Sequence, residues 1–451
     1  MSLFASITKK PLTAHLSFTP GLGAYALEEC NSIILNPWIP EKKNTAEPQL
    51  ILHPEKIIVR KVSLQALLGL LTRSYSLRDI YVLLAEKLGD KDFVLDPEIR
   101  DLIRKEGGYN LVVQIRQSPR WTEQSARNHL TKIIGRDPSQ KLNELKPRFL
   151  LEIFNNHAKL YLALRDKPLY QRGFRSPLSK SAPLSEDIAA ILLNQMIQRF
   201  FQNQGKGQNK NSIQNFDPKS KIRFVLPFSG TGTLAFEFYL IMNSIAPENL
   251  NSLESKHINI WKGNDPYLFL RKKSKASILE NLNIIMECYD LETDAVDNSN
   301  SNLESFAERI QELRSDILVN SQTNKSKPNA NSTLHSKTDR SAFWSFEEGN
   351  FFERKIDAGE GETIFLPLNP PYGLRMQKKE ENTNFYTRIA EKLIEIEKKN
   401  AGNPIFGFLL CPDSETHFLA CKVIKPKYKI ETVHFSQGNL SLRALFFSRP
   451  I

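Results

Sequence analysis

IRFVLPFSGTGTLAFEFYLIM, residues 222–242, is an apolar run that stops at Pro227, a turn of small residues, and a second apolar run at helical spacing. Two glycines one residue apart, Gly230 and Gly232, let a strand turn sharply into a helix and leave backbone amides close to a ligand. That geometry suits a nucleotide's ribose or a carboxylate, although a turn of this kind can also simply join two elements. Glu237 reads as a charged residue of the ensuing helix. Working outward, IIMECYDLETDAV (284–296), ETIFLPLNPPYG (362–373) and IFGFLLCPD (405–413) supply three more apolar runs, each ended by polar or turn-forming residues. Helical patterns such as NLESFAERIQELRSDI (302–317) and YTRIAEKLIEIEKK (386–399) alternate with them. Alternating strand and helix signals imply an α/β domain around a mostly parallel sheet.

Two further groups carry candidate chemistry. Glu292 and Asp294 close the run that starts at Ile284, and a carboxylate at the C-terminal end of a second strand can accept hydrogen bonds from ribose hydroxyls. They come about sixty residues after the glycine turn, twice the usual spacing, so the chain makes a long excursion in between. NPPYG, Asn369 to Gly373, follows the apolar run TIFLPL directly. Pro370 and Pro371 cannot donate a ladder hydrogen bond, so they end the strand and stiffen its exit. The side-chain carbonyl of Asn369 and the backbone carbonyl of Pro370 could orient a target amino group, and Tyr372 offers a flat face to a flipped base. The bland alternative is a rigid Asn-Pro turn with a packed tyrosine.

The chain has 451 residues, 40% hydrophobic and 25% charged, with 61 Lys and Arg against 50 Asp and Glu and a formal charge of +11. This length accommodates two or three domains, and the positive balance favours a polyanionic partner. Cys30, Cys288, Cys411 and Cys421 are scattered, so neither a disulfide framework nor a thiolate zinc site is indicated. No metal site is expected, and no catalytic triad shares a local frame. No secretory leader or long apolar run is read, and a cytoplasmic setting is expected.

The first 170 residues read as an α+β region. PGLGAYALEEC (20–30) is a turn entering a helix, and VSLQALLGLLTRSYSLRDIYVLLAEKL (62–88) reads as two helices divided near Ser74 to Ser76. YNLVVQIRQS (109–118) is strand-like, a helix with Arg127 and Lys132 follows, and RFLLEIFNNHAKLYLAL (148–164) reads as a hairpin turning at Asn155 and Asn156. Residues 200–221 and 319–341 are polar enough to be loops, the latter an insertion. Basic residues interleaved with aromatics in YQRGFRSPLSKSAP (170–183), namely Arg172, Arg175 and Lys180, are candidates for phosphate contact. Arg116, Arg120, Arg127 and Lys132 form a looser basic group.

With these motifs in hand, the chain resembles bacterial RNA guanine-N2 methyltransferases that carry a front THUMP domain, related to the enzyme modifying 23S ribosomal RNA. SLFASITKKPLTAHLSFTPGLGAYALEEC looks like that family's ferredoxin-like entry, NNHAKLYLAL like its terminal THUMP hairpin, and QRGFRSPLSKSAPLSEDIAAILL like its linker and first catalytic helix. The resemblance implies a ferredoxin-like part at 1–60, a THUMP-like RNA-binding domain at 61–168, a linker and first helix at 169–220, and a Rossmann-like class I methyltransferase domain at 221–451. It places Glu186, Pro227, Phe228, Gly230, Gly232, Thr233, Glu292, Asp294, Asn350 and Asn369 around S-adenosylmethionine. Asn369, Pro370, Pro371 and Tyr372 become the target site, and structured RNA the partner. Leu226 and Asn350 depart from the family pattern, which has aspartate at both positions; the Asn350 carbonyl could still accept from an adenine amino group.

Three readings follow. The main one is methyl transfer to guanosine N2 in RNA. NPPY is shared with adenine-N6 methyltransferases of DNA and RNA, so that reading stands beside it. An RNA-binding assembly factor without turnover would account for Leu226 and Asn350.

Overall fold

The computed structural model describes residues 11–39, 47–87, 97, 109–135, 146–175, 183–203, 220–251, 265–279, 282–322, 344–372, 379–438 and 440–449. Lys180, Gly373 and nearly all of the 319–341 insertion lie outside these, as does most of 200–221. The chain forms two compact units, and it crosses between them more than once: residues 1–19, 23–171 and 247–274 make the first, and 20–22, 172–246 and 275–451 the second.

Among the described residues, the first unit is built on seven strands: β1 (Leu12–Ser17), β2 (Gln49–Leu52), β3 (Lys56–Val62), β4 (Asp79–Lys87), β5 (Asn110–Arg116), β6 (Arg148–Phe154) and β7 (His157–Ala163). They lie in one sheet of order β2-β3-β1-β4-β7-β6-β5. All neighbours are antiparallel except β5 and β6. That parallel pair is joined by a helix, α3 (Glu123–Ile134), which starts with a capping box between Thr122 and Ser125 and stops at Gly135 in the left-handed region. Helices α1 (Gly23–Leu35) and α2 (Leu64–Arg73) add Ala26, Cys30, Leu67 and Leu70 to the unit's core. Asn155 and Asn156 both have positive φ, so β6 and β7 meet through a two-residue turn whose twist matches the strands.

Two expectations change here. The segment read as a second helix after Ser76 is β4, paired to β1 on one side and β7 on the other. A centrally placed strand shows little alternation, and a short apolar run then cannot be told from a helix by periodicity. The boundary set at residue 60 falls inside β3, and strands from both sides of it share one sheet. The long excursion after the glycine turn also has a place. Its helices α6 (Glu248–Asn251) and α7 (Asp265–Ala276) belong to the first unit. Glu248 there pairs with buried Arg165 at 3.4 Å and accepts from the Tyr267 hydroxyl at 2.8 Å.

The second unit holds β8 (Lys221–Pro227), β9 (Ile284–Asp290), β10 (Phe346–Glu348), β11 (Glu362–Leu368), β12 (Ile405–Cys411), β13 (Lys429–Gln437) and β14 (Leu440–Arg449), in the order β10-β9-β8-β11-β12-β14-β13. The first five are parallel. The terminal hairpin β13–β14 enters antiparallel beside β12. Helices α4 (Glu186–Asn203), α5 (Thr233–Met242), α8 (Thr293–Gln322), α9 (Lys379–Lys399) and α10 (Ser414–Ile424) accompany the sheet. Phe200 and Phe201 are buried in α4, so the start of the expected 200–221 loop is helix. From β8 the chain builds outward through β9 and β10, then returns to lay β11 on the other side of β8. Order therefore reverses between β8 and β11, and the crevice beyond the C-terminal ends of these two strands is where such sheets bind ligands. Among the described residues, no helix is long and apolar enough to cross a membrane.

Gly407 in β12 shows how closely this sheet is covered. A Cβ there would collide with the Leu366 carbonyl and with the Phe447 ring, whereas one on Gly402 would meet nothing within 4 Å. Gly407→Ala should therefore cost about 2 kcal/mol or more through overpacking. Urea unfolding should show its midpoint lowered and that of Gly402→Ala unchanged.

Candidate functional site

The site is assembled from strand tips. β8 pairs with β9 up to Pro227 opposite Tyr289, so Phe228 stands beside Asp290. On the other side, β8 pairs with β11 through Phe224 opposite Phe365, and continuing that register brings Asn369 alongside Phe228. The glycine turn, the acid ending β9 and the Asn-Pro corner ending β11 thus share one edge of the sheet.

Phe228 has φ +58°, Gly230 +56° and Gly232 +80°. A phenylalanine in the left-handed region is a real outlier that costs on the order of 1 kcal/mol, and such strain persists only where surroundings impose it. The turn is heavily tied. Ser229 N–H donates to Tyr289 O at 3.1 Å and Gly232 N–H to Ser229 O at 2.9 Å. Gly230 N–H donates to Asp290 Oδ2 at 2.8 Å. From α8, Ser299 Oγ donates to Gly230 O at 2.6 Å, and Asn302 Nδ2 to Thr231 O at 3.1 Å. The expectation that these amides stand open to a ligand is corrected: the protein itself uses three of them. What remains open is space. A Cβ on Gly230 would meet nothing within 4 Å, whereas one on Gly232 would lie 2.8 Å from the Phe236 and Phe346 rings. Gly232 is there for packing, and Gly230 leaves a cradle.

The acid facing that cradle is Asp290, which the sequence reading passed over in favour of residues two and four positions on. Asp290 Oδ1 also accepts from Glu292 N–H at 3.2 Å. Glu292 and Asp294 are exposed at the start of α8, where carboxylates favour the helix N-terminus. The available signal was position alone: Asp290 is the last residue of the apolar run. Leu226 is fully buried in β8. Asn350 Oδ1 takes the Phe352 amide at 3.1 Å, which leaves it one further lone pair, while its Nδ2 donates to Glu353 Oε1 at 2.8 Å. Beside it runs an aromatic cluster that the sequence did not signal, Phe351, Phe352, Phe385 and Phe228, with successive ring centroids 5.4–6.0 Å apart.

Asn369 is half-buried at the end of β11, and its Oδ1 is a buried acceptor with no partner among the described residues. Ser229 Oγ is a second such atom on the glycine turn. Pro370 is buried, and Pro371 and Tyr372 are half-buried. Unsatisfied buried acceptors cost about 1–3 kcal/mol each, which a ligand with donors would recover.

The RGFR segment departs most from expectation. Arg172 is fully buried, and its Nε donates to Glu237 Oε1 at 3.2 Å with both side chains 0% exposed. Phe174 packs on Phe236 and Phe306 at 4.9 and 5.4 Å. Arg175 Nη2 donates to Thr233 Oγ1 at 2.9 Å and to Leu184 O at 2.8 Å, and pairs with Glu186 at 3.2 Å. Arg172 is therefore closed to an outside phosphate: aromatic burial draws it inside, where its guanidinium needs a carboxylate, while the Arg175 side chain stays 21% exposed. Glu237, read as a charged residue of the helix, is fully buried, and burial pushes its carboxyl up to about 7 against the pull of Arg172. Burial likewise raises Glu186, which is buried beside Arg175. Of the other basic candidates, Arg127 is tied to Glu123 at 2.7 Å and to Leu111 O at 3.3 Å. Arg116 pairs with Glu55, and Arg120 and Lys132 are exposed.

No protein-family model matches the chain. It is 23% identical over 320 residues to the protein "Ribosomal RNA large subunit methyltransferase K/L" of Acinetobacter baumannii strain AYE, covering 69% of this chain and 35% of that one. The corresponding protein of strain ACICU is 22% identical over the same length and shares. The chain thus spans about a third of the length of these curated relatives. Among solved structures, it is similar to SMU.472, a methyltransferase candidate solved with SAH, at TM-score 0.62 and 12% identity, covering 97% of this chain and 98% of that one. It is also similar to a predicted N6-adenine-specific DNA methylase from Listeria monocytogenes, at TM-score 0.58 and 13% identity with 98% of each chain covered. TrmN from Thermus thermophilus gives 0.52 and 13%, covering 97% of this chain and 99% of that one. These likenesses establish the fold: the second unit is a class I, Rossmann-like methyltransferase fold.

The raised Glu237 carboxyl has a measurable consequence. A group held protonated in the fold contributes stability that is complete below its unfolded value and is lost as pH rises through the folded one, here from about 4.5 to about 7. Glu237→Gln should flatten that part of the stability-versus-pH curve, measured by urea midpoints across this range; a wild-type slope unchanged in the variant would contradict the assignment.

Proposed function

We propose that the chain transfers a methyl group from S-adenosylmethionine to the exocyclic N2 of a guanosine in structured RNA. The observation that carries this reading is the unpartnered Asn369 Oδ1, held on a proline-stiffened corner at the topological switch point beside the Gly230 cradle. An acceptor kept empty at that place is suited to an N–H donor, and an exocyclic amine supplies one.

S-adenosylmethionine, when bound, supplies a methyl group on a positively charged sulfur. The chain's own residues would hold and align. Gly230 leaves the space for the cofactor, and Asp290 at the tip of β9 retains lone pairs for ribose hydroxyls after binding the Gly230 amide. Glu292, two residues onward, and Glu186 with Thr233 stand near the same turn. The Asn369 side-chain carbonyl and the Pro370 backbone carbonyl would accept both amine hydrogens, turning the nitrogen lone pair toward the methyl carbon and stabilising the positive charge that develops as the bond forms. Tyr372 gives the flipped base a face to stack on. The aromatic group around Phe352 and Phe385 offers a further flat surface in the crevice.

The RNA assignment is supported by the charge of +11 and by the curated relatives named as ribosomal RNA methyltransferases. The first unit is read as the THUMP-like part that grips folded RNA, with Arg116, Arg120 and Lys132 on its surface. A second reading, adenine N6, draws on the same Asn-Pro-Pro-Tyr corner and on the similar Listeria structure's assignment as a DNA methylase.

Asn369→Ala should lower methyl transfer to RNA by at least about 100-fold, while calorimetry shows S-adenosylhomocysteine bound within about twofold of wild type. Turnover retained in that variant would remove the assigned role. Nucleoside analysis of the labelled product should give N2-methylguanosine; N6-methyladenosine, or label in duplex DNA alone, would decide for the second reading.

A further inference from the structure

Helix α7, in the excursion that returns to the first unit, is not explained by the methyltransferase site. Its sequence, DPYLFLRKKSKA, carries four cations and one acid over twelve residues. Tyr267, Leu270 and Ser274 are buried, which fixes one face against the unit. The opposite face presents Leu268 and Phe269, 47% and 49% exposed, with exposed Lys272 and Lys273 one turn on from each. Adjacent open apolar side chains with cations beside them mark a candidate contact surface.

A neighbouring element extends the surface. Lys273 Nζ lies 5.6 Å from the Trp38 ring centroid, and the Arg73 guanidinium lies 4.5 Å from the same ring. Arg73 also donates to the Asn36 carbonyl at 3.0 Å, which joins the end of α2 to the end of α1. Glu29, the acid whose charge bears on Arg73, is spent on the turn after α2, accepting from Ser74 Oγ at 2.6 Å and from the Tyr75 and Ser76 amides at 2.9 and 3.1 Å. Two cations are thus gathered on one indole, and an open phenyl ring stands one helical turn from one of them.

We propose that Trp38, Arg73, Phe269, Lys272 and Lys273 form a nucleic-acid contact surface that takes an unpaired segment of the RNA substrate. It takes from the reading above only that the polyanion is RNA. The cations neutralise phosphates, and Phe269 stacks an unstacked base; that combination is the chemistry of single-strand recognition. A purely electrostatic anchor would have no use for exposed Leu268 and Phe269, and lysines beside those side chains favour a polyanion over a protein partner. None of these residues belongs to the methyl-transfer crevice.

The test uses the full chain and a short single-stranded RNA labelled for fluorescence anisotropy, titrated across a salt series, with anionic phospholipid vesicles as a second probe. The double change Lys272→Glu with Lys273→Glu should weaken RNA binding by at least about tenfold and lower the slope of log affinity against log salt by roughly one to one and a half. Phe269→Ala should weaken it by about tenfold with the slope unchanged. Both sites are on the surface, so thermal midpoints should match wild type and kcat at saturating RNA should hold while KM rises. Unchanged RNA affinity in both variants overturns the surface, whether or not methyl transfer is observed. So does loss of vesicle binding with RNA affinity intact. Weakened RNA binding in a protein that transfers no methyl group leaves the surface standing and defeats the methyltransferase reading instead.

Discussion

The hydrogen bond from the Gly230 amide to the Asp290 carboxylate ties two adjacent strand tips together and sets the shape of everything around them. Asp290 ends β9, and its carboxylate draws the glycine turn toward it, so the backbone runs through positive φ at Phe228, Gly230 and Gly232. A charged acceptor makes this bond stronger than a neutral one, which helps offset the strain at Phe228. With the amide engaged and no side chain on Gly230, the turn is rigid below and empty above. The Asn369 corner, one strand away, carries a buried acceptor that no described group satisfies.

Beneath this edge lies a second constraint. Arg172 with Glu237 and Arg175 with Glu186 place two arginines against two glutamates inside the unit, and Arg175 reaches Thr233 at the start of α5. Buried pairs of this kind add little net stability, yet breaking one leaves an uncompensated charge and costs several kcal/mol. Their effect is positional: they fix the start of α5, and hence the far side of the glycine turn, relative to the chain entering the unit at Arg172. Glu237, fully buried with one oxygen unpartnered, sits at the edge of protonation as a result.

Much of this was legible in the sequence because strand, turn and helix signals change sharply at Pro227 and again at Pro370. Turn chemistry at Asn155 and Asn156 was equally plain. Other elements were not, for identifiable reasons. The run DIYVLLAEK is a central strand, whose burial erases the alternation that would mark it. RGFR reads as a basic surface because charge in a sequence carries no sign of depth; Phe174 packing on Phe236 decides it, and that contact spans about sixty residues of chain. Asp290 was overlooked because the acids after it stand in the same short stretch, and only the end of the pairing with β8 separates them. The aromatic group of Phe228, Phe351, Phe352 and Phe385 comes from three separate segments, which no local pattern could join.

The central claim is that the open space above Gly230 holds the cofactor, and one substitution isolates it. Asn adopts the left-handed conformation of Gly230 with little strain, so Gly230→Asn fills the cradle while leaving the backbone as it is. Titration calorimetry with S-adenosylhomocysteine should show affinity reduced by about tenfold or more, at least ~1.4 kcal/mol, in a variant whose thermal midpoint stays close to wild type. Wild-type affinity in that variant would contradict the account.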